Sequence, residues 1–159
     1  MTMLSWRDDY RIGIKEIDAE HKYLFDLINA VHDAHTAADS RKNVLSALTR
    51  LVAYAEQHFT REEALMSAHA YPKLDDHRQL HEGLFSSIFD LNEKLQSGVK
   101  QVDAEVLRFL KNWLVDHILH SDMDFGAFMQ SEAAKAKKLS QEKKPVAEDE
   151  KGESAQPAA

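Results

Sequence analysis

Seven residues in this chain have types and spacings suited to metal chemistry: His21, His58, Glu62, His77, His81, His117 and Asp122. His58 and Glu62 are four residues apart, and so are His77 and His81. That spacing puts each pair on one face of a helix. His117 and Asp122 are five apart. The chain has no cysteine. Imidazoles mixed with bridging-capable carboxylates, and no thiolates, suit iron or another first-row metal better than a structural zinc site. Two octahedral ions would use nearly the whole set. Each imidazole fills one position, each bridging carboxylate fills two, and a bridging solvent oxygen fills two more. A single position is left open, which suits a small diatomic ligand and leaves little room for a bulky substrate.

Helices must bring these residues to one place. Four helical patterns follow an N-terminal arm anchored by Trp6, Tyr10, Ile12, Ile14 and Ile17. The spacing predicts helices over 18–38, 41–67, 73–97 and 103–130. Ser40 or Asp39 is the expected N-cap of the second, and Gly98 the stop after the third. The apolar stripes are Leu24, Ile28 and Val31; Val44, Leu48, Leu51 and Ala55; Leu84, Ile88, Leu91 and Leu95; and Leu107, Leu110 and Leu114. In every helix the seven candidates continue the stripe, so they point inward. In an antiparallel pair, residues at equal height are equidistant from the connecting loop. Glu62 and His77 share a midpoint with His58 and His81, between His69 and Ala70. His21 and His58 meet between Asp39 and Ser40, and His81 and His117 meet beside Gly98. These midpoints coincide with the three expected loops. The fold class is therefore all-α, an antiparallel up-down-up-down four-helix bundle. The five-residue step from His117 to Asp122 separates them by ~140° on a regular helix, so both reach one centre either by flanking the bundle axis or through a π-type bulge.

Composition agrees with that frame. Glycine and proline are few, at 5 and 3, and the formal net charge is -7. The acidic balance argues against a general nucleic-acid binder. No stretch approaches the ~20 apolar residues of a membrane span. Residues 1–11 contain no apolar run of secretory type, and a cytoplasmic location is the default. The chain divides into a bundle over 1–131 and a charged, low-complexity tail over 132–159, read as a helical extension fading into disorder.

At this point the chain resembles the hemerythrin family, and its bacterial members, the bacteriohemerythrins, most closely. The matching runs are IDAEH at Ile17–His21, HFTRE at His58–Glu62, HRQLH at His77–His81 and WLVDHILHSD at Trp113–Asp122. The early SWRDDY at Ser5–Tyr10 is similar to the family's arm, and the resemblance covers roughly residues 4–130. It implies a non-haem di-iron centre that binds O2 reversibly. It further implies that His77, His81 and His117 hold the saturated iron, and His21 and His58 the iron with the open position. Glu62 and Asp122 would bridge the pair beside an oxo or hydroxo group.

The expected O2 pocket is apolar, formed by Leu24, Phe59, Leu114 and Ile118 and flanked by Trp113 and Phe125, with Leu114 as the gate. Asp18 and Glu20 are candidate acceptors for an imidazole N–H, or helix-start carboxylates. His32, His35, His69 and His120 are read as surface or loop residues, and Met123 and Met129 as core. The implied role is O2 storage, buffering or delivery to an oxygen-consuming enzyme, by a monomer without enzymatic activity. The alternatives are a peroxidase or NO-reducing enzyme, or an O2 or redox sensor, using the same centre. Oxygen-activating di-iron enzymes use Glu-rich sites, whereas this set has five imidazoles and two carboxylates.

Overall fold

The computed structural model describes residues 2–37 and 40–143. Four long helices form the bundle: α1 (Lys15–Thr36), α2 (Arg41–Ala68), α3 (Leu74–Gln96) and a fourth in two parts. The fourth comprises α4 (Ala104–His117), a π-helical turn over Ile118–Asp122, and α5 (Met123–Glu142). α1 packs against α2 and α4, and α2 packs against α3. No strand occurs among the described residues.

Local chemistry starts and stops these helices. The Ser40 hydroxyl accepts from the Asn43 N–H at the head of α2; Asp39 lies outside the described residues. The Asp103 carboxylate accepts from the Val106 N–H at 2.9 Å at the head of α4, a contribution of about 1 kcal/mol. Gly98 follows α3 with φ +80°, a conformation that costs a glycine little. α1 begins at Lys15, three residues before the expected start, because Asp18 is already inside the helix. Its carboxylate reaches back to accept from the Ile12 N–H at 2.8 Å and the Gly13 N–H at 3.3 Å.

The core is the predicted stripes brought together. Leu24, Ile28, Val31, Leu48, Leu51, Ala55, Ile88, Leu110 and Ile118 are all fully buried. Met123 and Met129 pack against this core half-buried. The arm closes one side. Asn29, on α1, donates to the Leu4 carbonyl at 2.8 Å and accepts from its N–H at 2.9 Å. Trp6, Tyr10 and Phe25 meet edge-to-face, with centroids 5.3–5.8 Å apart. Farther along, the Ile12 carbonyl lies so close to Gly126 of α5 that a Cβ there would stand 2.1 Å from it.

Of the two arrangements open to His117 and Asp122, the helix takes the π-type bulge. The Met123 N–H bonds to the Ile118 carbonyl, an i→i−5 link. α5 then runs to Glu142, and its residues from 130 onward are exposed. This is the expected helical extension; the expected disordered end lies outside the described residues.

Candidate metal centre

The seven singled-out side chains converge in one layer. All are buried, and His117 is the most exposed at 7%. α1 supplies His21, α2 supplies His58 and Glu62, α3 supplies His77 and His81, and α4 supplies His117. Asp122 comes from the π turn, whose extra residue rotates it back toward the ring of His117. The Nε2 atoms face inward. Asp122 Oδ1 lies 3.0 Å from His117 Nε2 and 3.2 Å from His77 Nε2, while Oδ2 lies 3.1 Å from His21 Nε2. Glu62 Oε2 lies 3.1 Å from His81 Nε2, 3.2 Å from His77 Nε2 and 4.0 Å from His58 Nε2.

These atoms sort into two overlapping groups. One is Glu62, His77, His81, His117 and Asp122; the other is His21, His58, Glu62 and Asp122. Both carboxylates belong to both groups, while three imidazoles stand on one side and two on the other.

The electrostatics suit cations. Burial and neighbouring Asp122 push the Glu62 carboxyl up, but hydrogen bonds with His77 and His81 outweigh them and hold it at about 2. Burial also pushes Asp122 up, yet His117, His21 and His77 hold it well below the usual carboxylate range. Burial opposes charge on His77, but hydrogen bonds to Asp122 and Glu62 raise it to about 9. His21 is raised in the same way, with burial opposing and Asp122 prevailing. Even so, Glu62 Oε1 and both Asp122 oxygens are buried without a well-aligned hydrogen bond. Buried polar atoms left so cost about 1–3 kcal/mol each. His81 Nε2 and His117 Nε2 face each other at 3.0 Å. His81 Nδ1 lies 2.8 Å from Glu63 Oε1; in the tautomer that donates there, Nε2 turns a lone pair inward. Converging lone pairs and carboxylate oxygens are the chemistry of a ligand set, and two first-row metal ions fit it.

A second layer of polar contacts surrounds these residues. Glu20 Oε2 accepts from His58 Nδ1 at 2.6 Å, and Arg61 Nε binds the other Glu20 oxygen. Burial raises the Glu20 carboxyl, but His58 and Arg61 together bring it below its ordinary value. Of the two roles expected, Glu20 takes that of imidazole acceptor and Asp18 that of helix-start carboxylate, in the first turn of α1. Asp18 spends both oxygens on the arm's backbone. Glu63, Arg61 and Arg78 were not singled out from the sequence. Spacing alone did not mark Glu63; in the structure Phe59, one turn earlier, stacks on His81 at 4.0 Å, and Glu63 reaches the same ring.

The apolar candidates are all buried: Leu24, Phe59, Trp113, Leu114, Ile118 and Phe125. Leu114 and Ile118 bracket His117, and Leu24 lies one turn past His21. Phe59 lies 5.9 Å from His117 and 6.0 Å from Trp113. Trp113 donates from Nε1 to the Leu84 carbonyl at 3.0 Å, and Phe125 packs on Tyr71 at 5.0 Å. His35, His69 and His120 are exposed, and His32 is half-buried beside Asp33. The layer does not include them.

Comparison with known proteins agrees with this arrangement. Residues 12–128 match the family described as the hemerythrin HHE cation binding domain. The chain is similar to a bacteriohemerythrin of Methylococcus capsulatus, at 30% identity over 127 residues, covering 79% of this chain and 96% of the relative. It is similar to a myohemerythrin of Theromyzon tessulatum, at 30% identity over 120 residues, covering 76% of this chain and 88% of the relative. A crystal structure of wild-type hemerythrin superposes with a TM-score of 0.73 at 31% identity, covering 79% of this chain and 96% of that one.

Proposed function

The chain belongs to the hemerythrin family, and from that premise we propose that it binds O2 reversibly at a pair of iron ions. His77, His81 and His117 hold one ion, His21 and His58 hold the other, and Glu62 and Asp122 bridge them. The observation that carries this reading is the pair of overlapping groups, which share both carboxylates but divide the imidazoles three and two. The division leaves the two-histidine ion one ligand short, and that position takes O2. A ferrous pair supplies two electrons to O2 on binding and recovers them on release.

The protein's part is to hold the ions in a dry, low-dielectric layer and to keep water and protons out. Leu24, Phe59, Leu114 and Ile118 form the apolar wall, flanked by Trp113 and Phe125, with Leu114 as the gate. Every one of them is buried. The small number of carboxylates supports holding O2 over cleaving it, since oxygen-activating di-iron enzymes recruit Glu-rich sets. Storage, buffering or delivery to an oxygen-consuming enzyme are the roles this chemistry serves. No described helix is long and apolar enough to cross a membrane.

The test is an optical spectrum of the iron-loaded, reduced protein through cycles of air and vacuum. The expected result is a visible charge-transfer band that appears in air and disappears when O2 is removed. Bleaching that does not reverse, with net consumption of O2 or NO, would overturn the carrier reading in favour of an enzyme.

A further inference from the structure

Two outer carboxylates repeat one arrangement on the two sides of the layer. Glu20 crosses from α1 to His58 on α2, accepting from Nδ1 at 2.6 Å. Glu63 crosses from α2 to His81 on α3, accepting from Nδ1 at 2.8 Å. In each case an arginine grips the second carboxylate oxygen: Arg61 on Glu20, and Arg78 on Glu63 at 3.5 Å. His58 belongs to the two-histidine group and His81 to the three-histidine group. Each metal therefore receives one imidazole backed by a carboxylate. Such a contact fixes the tautomer, orients the ring and makes the inward nitrogen a stronger donor.

The two grips are unequal. The Glu20 side chain is 16% exposed and that of Glu63 24%. Arg78 also divides its charge with Asp75, at 3.6 Å. His21 Nδ1, in the same group as His58, is buried with no partner among the described residues. Glu20 thus acts on the two-histidine ion through one imidazole, at short range and behind a firmly held counter-charge.

We propose that Glu20, held by Arg61, is the positioning residue that strengthens His58 as a donor and stabilises the oxidised state of the two-histidine metal. Glu63 does the same, more weakly, for the other metal. The assignment rests on the iron pair proposed above. It makes the redox balance of the O2-binding ion a property of a residue that never touches it.

The test compares iron-loaded wild type with Glu20→Gln and Glu63→Gln. The readouts are the rate at which a ferrous chelator removes each ion and the reduction potential of the pair. In Glu20→Gln one ion per chain is expected to leave about 10–100-fold faster while the other keeps its wild-type rate, and the potential rises. Glu63→Gln moves both readouts in the same direction by less. Arg61→Lys stays near wild type because it keeps the charge. Wild-type release and potential in Glu20→Gln overturn the proposal, and so does equal acceleration of both ions, which marks general loosening. If Glu20→Gln does not fold, Arg61→Met decides by the same readouts, since that side chain is 45% exposed. A wild-type chain that takes up no iron overturns the proposed function itself, and this assignment with it, before any variant is compared.

Discussion

Leu114 is 2% exposed, one turn before His117 and next to the buried Trp113. If it gates the open position, Leu114→Ala admits water and protons. The reduced, oxygenated protein should then decay to its oxidised form several-fold faster in air, followed by loss of the visible band. Unchanged decay would remove Leu114 from the gate. Asn29 illustrates a different kind of residue. Its amide satisfies both backbone groups of Leu4 at 2.8–2.9 Å, in a buried position. Asn29→Ala leaves those groups unpaired, and urea unfolding should show a loss of about 1–3 kcal/mol. The clustering of the seven side chains was legible in the sequence because their types are costly to bury and their spacings matched from helix to helix. Glu63 and Arg78 were less legible, since a charged residue on a helix surface looks the same whether it meets water or an imidazole. Asp18 shows competition between acceptors: it lies near His21 in sequence, but two unpaired N–H groups of the arm claim it first.

At the scale of elements, the π turn decides whether the fourth helix can supply two ligands. Each residue on a regular helix turns ~100°, so the five-residue step between His117 and Asp122 left two solutions open, flanking the bundle axis or a bulge, and the helix adopts the bulge. Deleting Leu119, which is 39% exposed, would turn the π turn into a regular one with His117 and Asp122 four residues apart, again on one face. Circular dichroism should then stay fully helical and bound iron stay near two per chain; a fall in loading would mean that the layer needs the π turn itself and not only the shared face. The helix ends were legible to within a few residues because caps such as Ser40 and Asp103 have a local cause. The crossing of the arm over α5 had no comparable signal. It depends on two backbones far apart in sequence meeting at Gly126. Gly126→Ala forces a methyl group against the Ile12 carbonyl. A loss of about 1–3 kcal/mol, read by thermal or urea unfolding, is the expected outcome.

The whole molecule places seven polar side chains at the height where a bundle would ordinarily place leucines. Without cations, the carboxylates and converging imidazoles weaken the fold; with them, metal affinity becomes folding free energy. Adding ferrous ion should raise the unfolding midpoint, and a chelator should lower it again. At free iron about 100 times Kd the gain is about 2.7 kcal/mol. A midpoint indifferent to iron would mean that the layer does not bind it in the folded state. The bundle was legible because three loop positions and three ligand midpoints coincided, a global constraint written in local spacings. How the arm closes one side was not, since Trp6, Tyr10 and Phe25 interlock through contacts that no periodicity encodes.

The arm's landing place has a consequence in time. Ile12 is synthesised more than a hundred residues before Gly126, the residue on which it docks. Asp122, shared by both ligand groups, is also a late arrival. A nascent chain carrying the first three helices therefore has neither a complete ligand set nor a closed arm. Both are finished by the same short stretch of synthesis, Asp122 to Gly126, so one step seals the centre and the arm together.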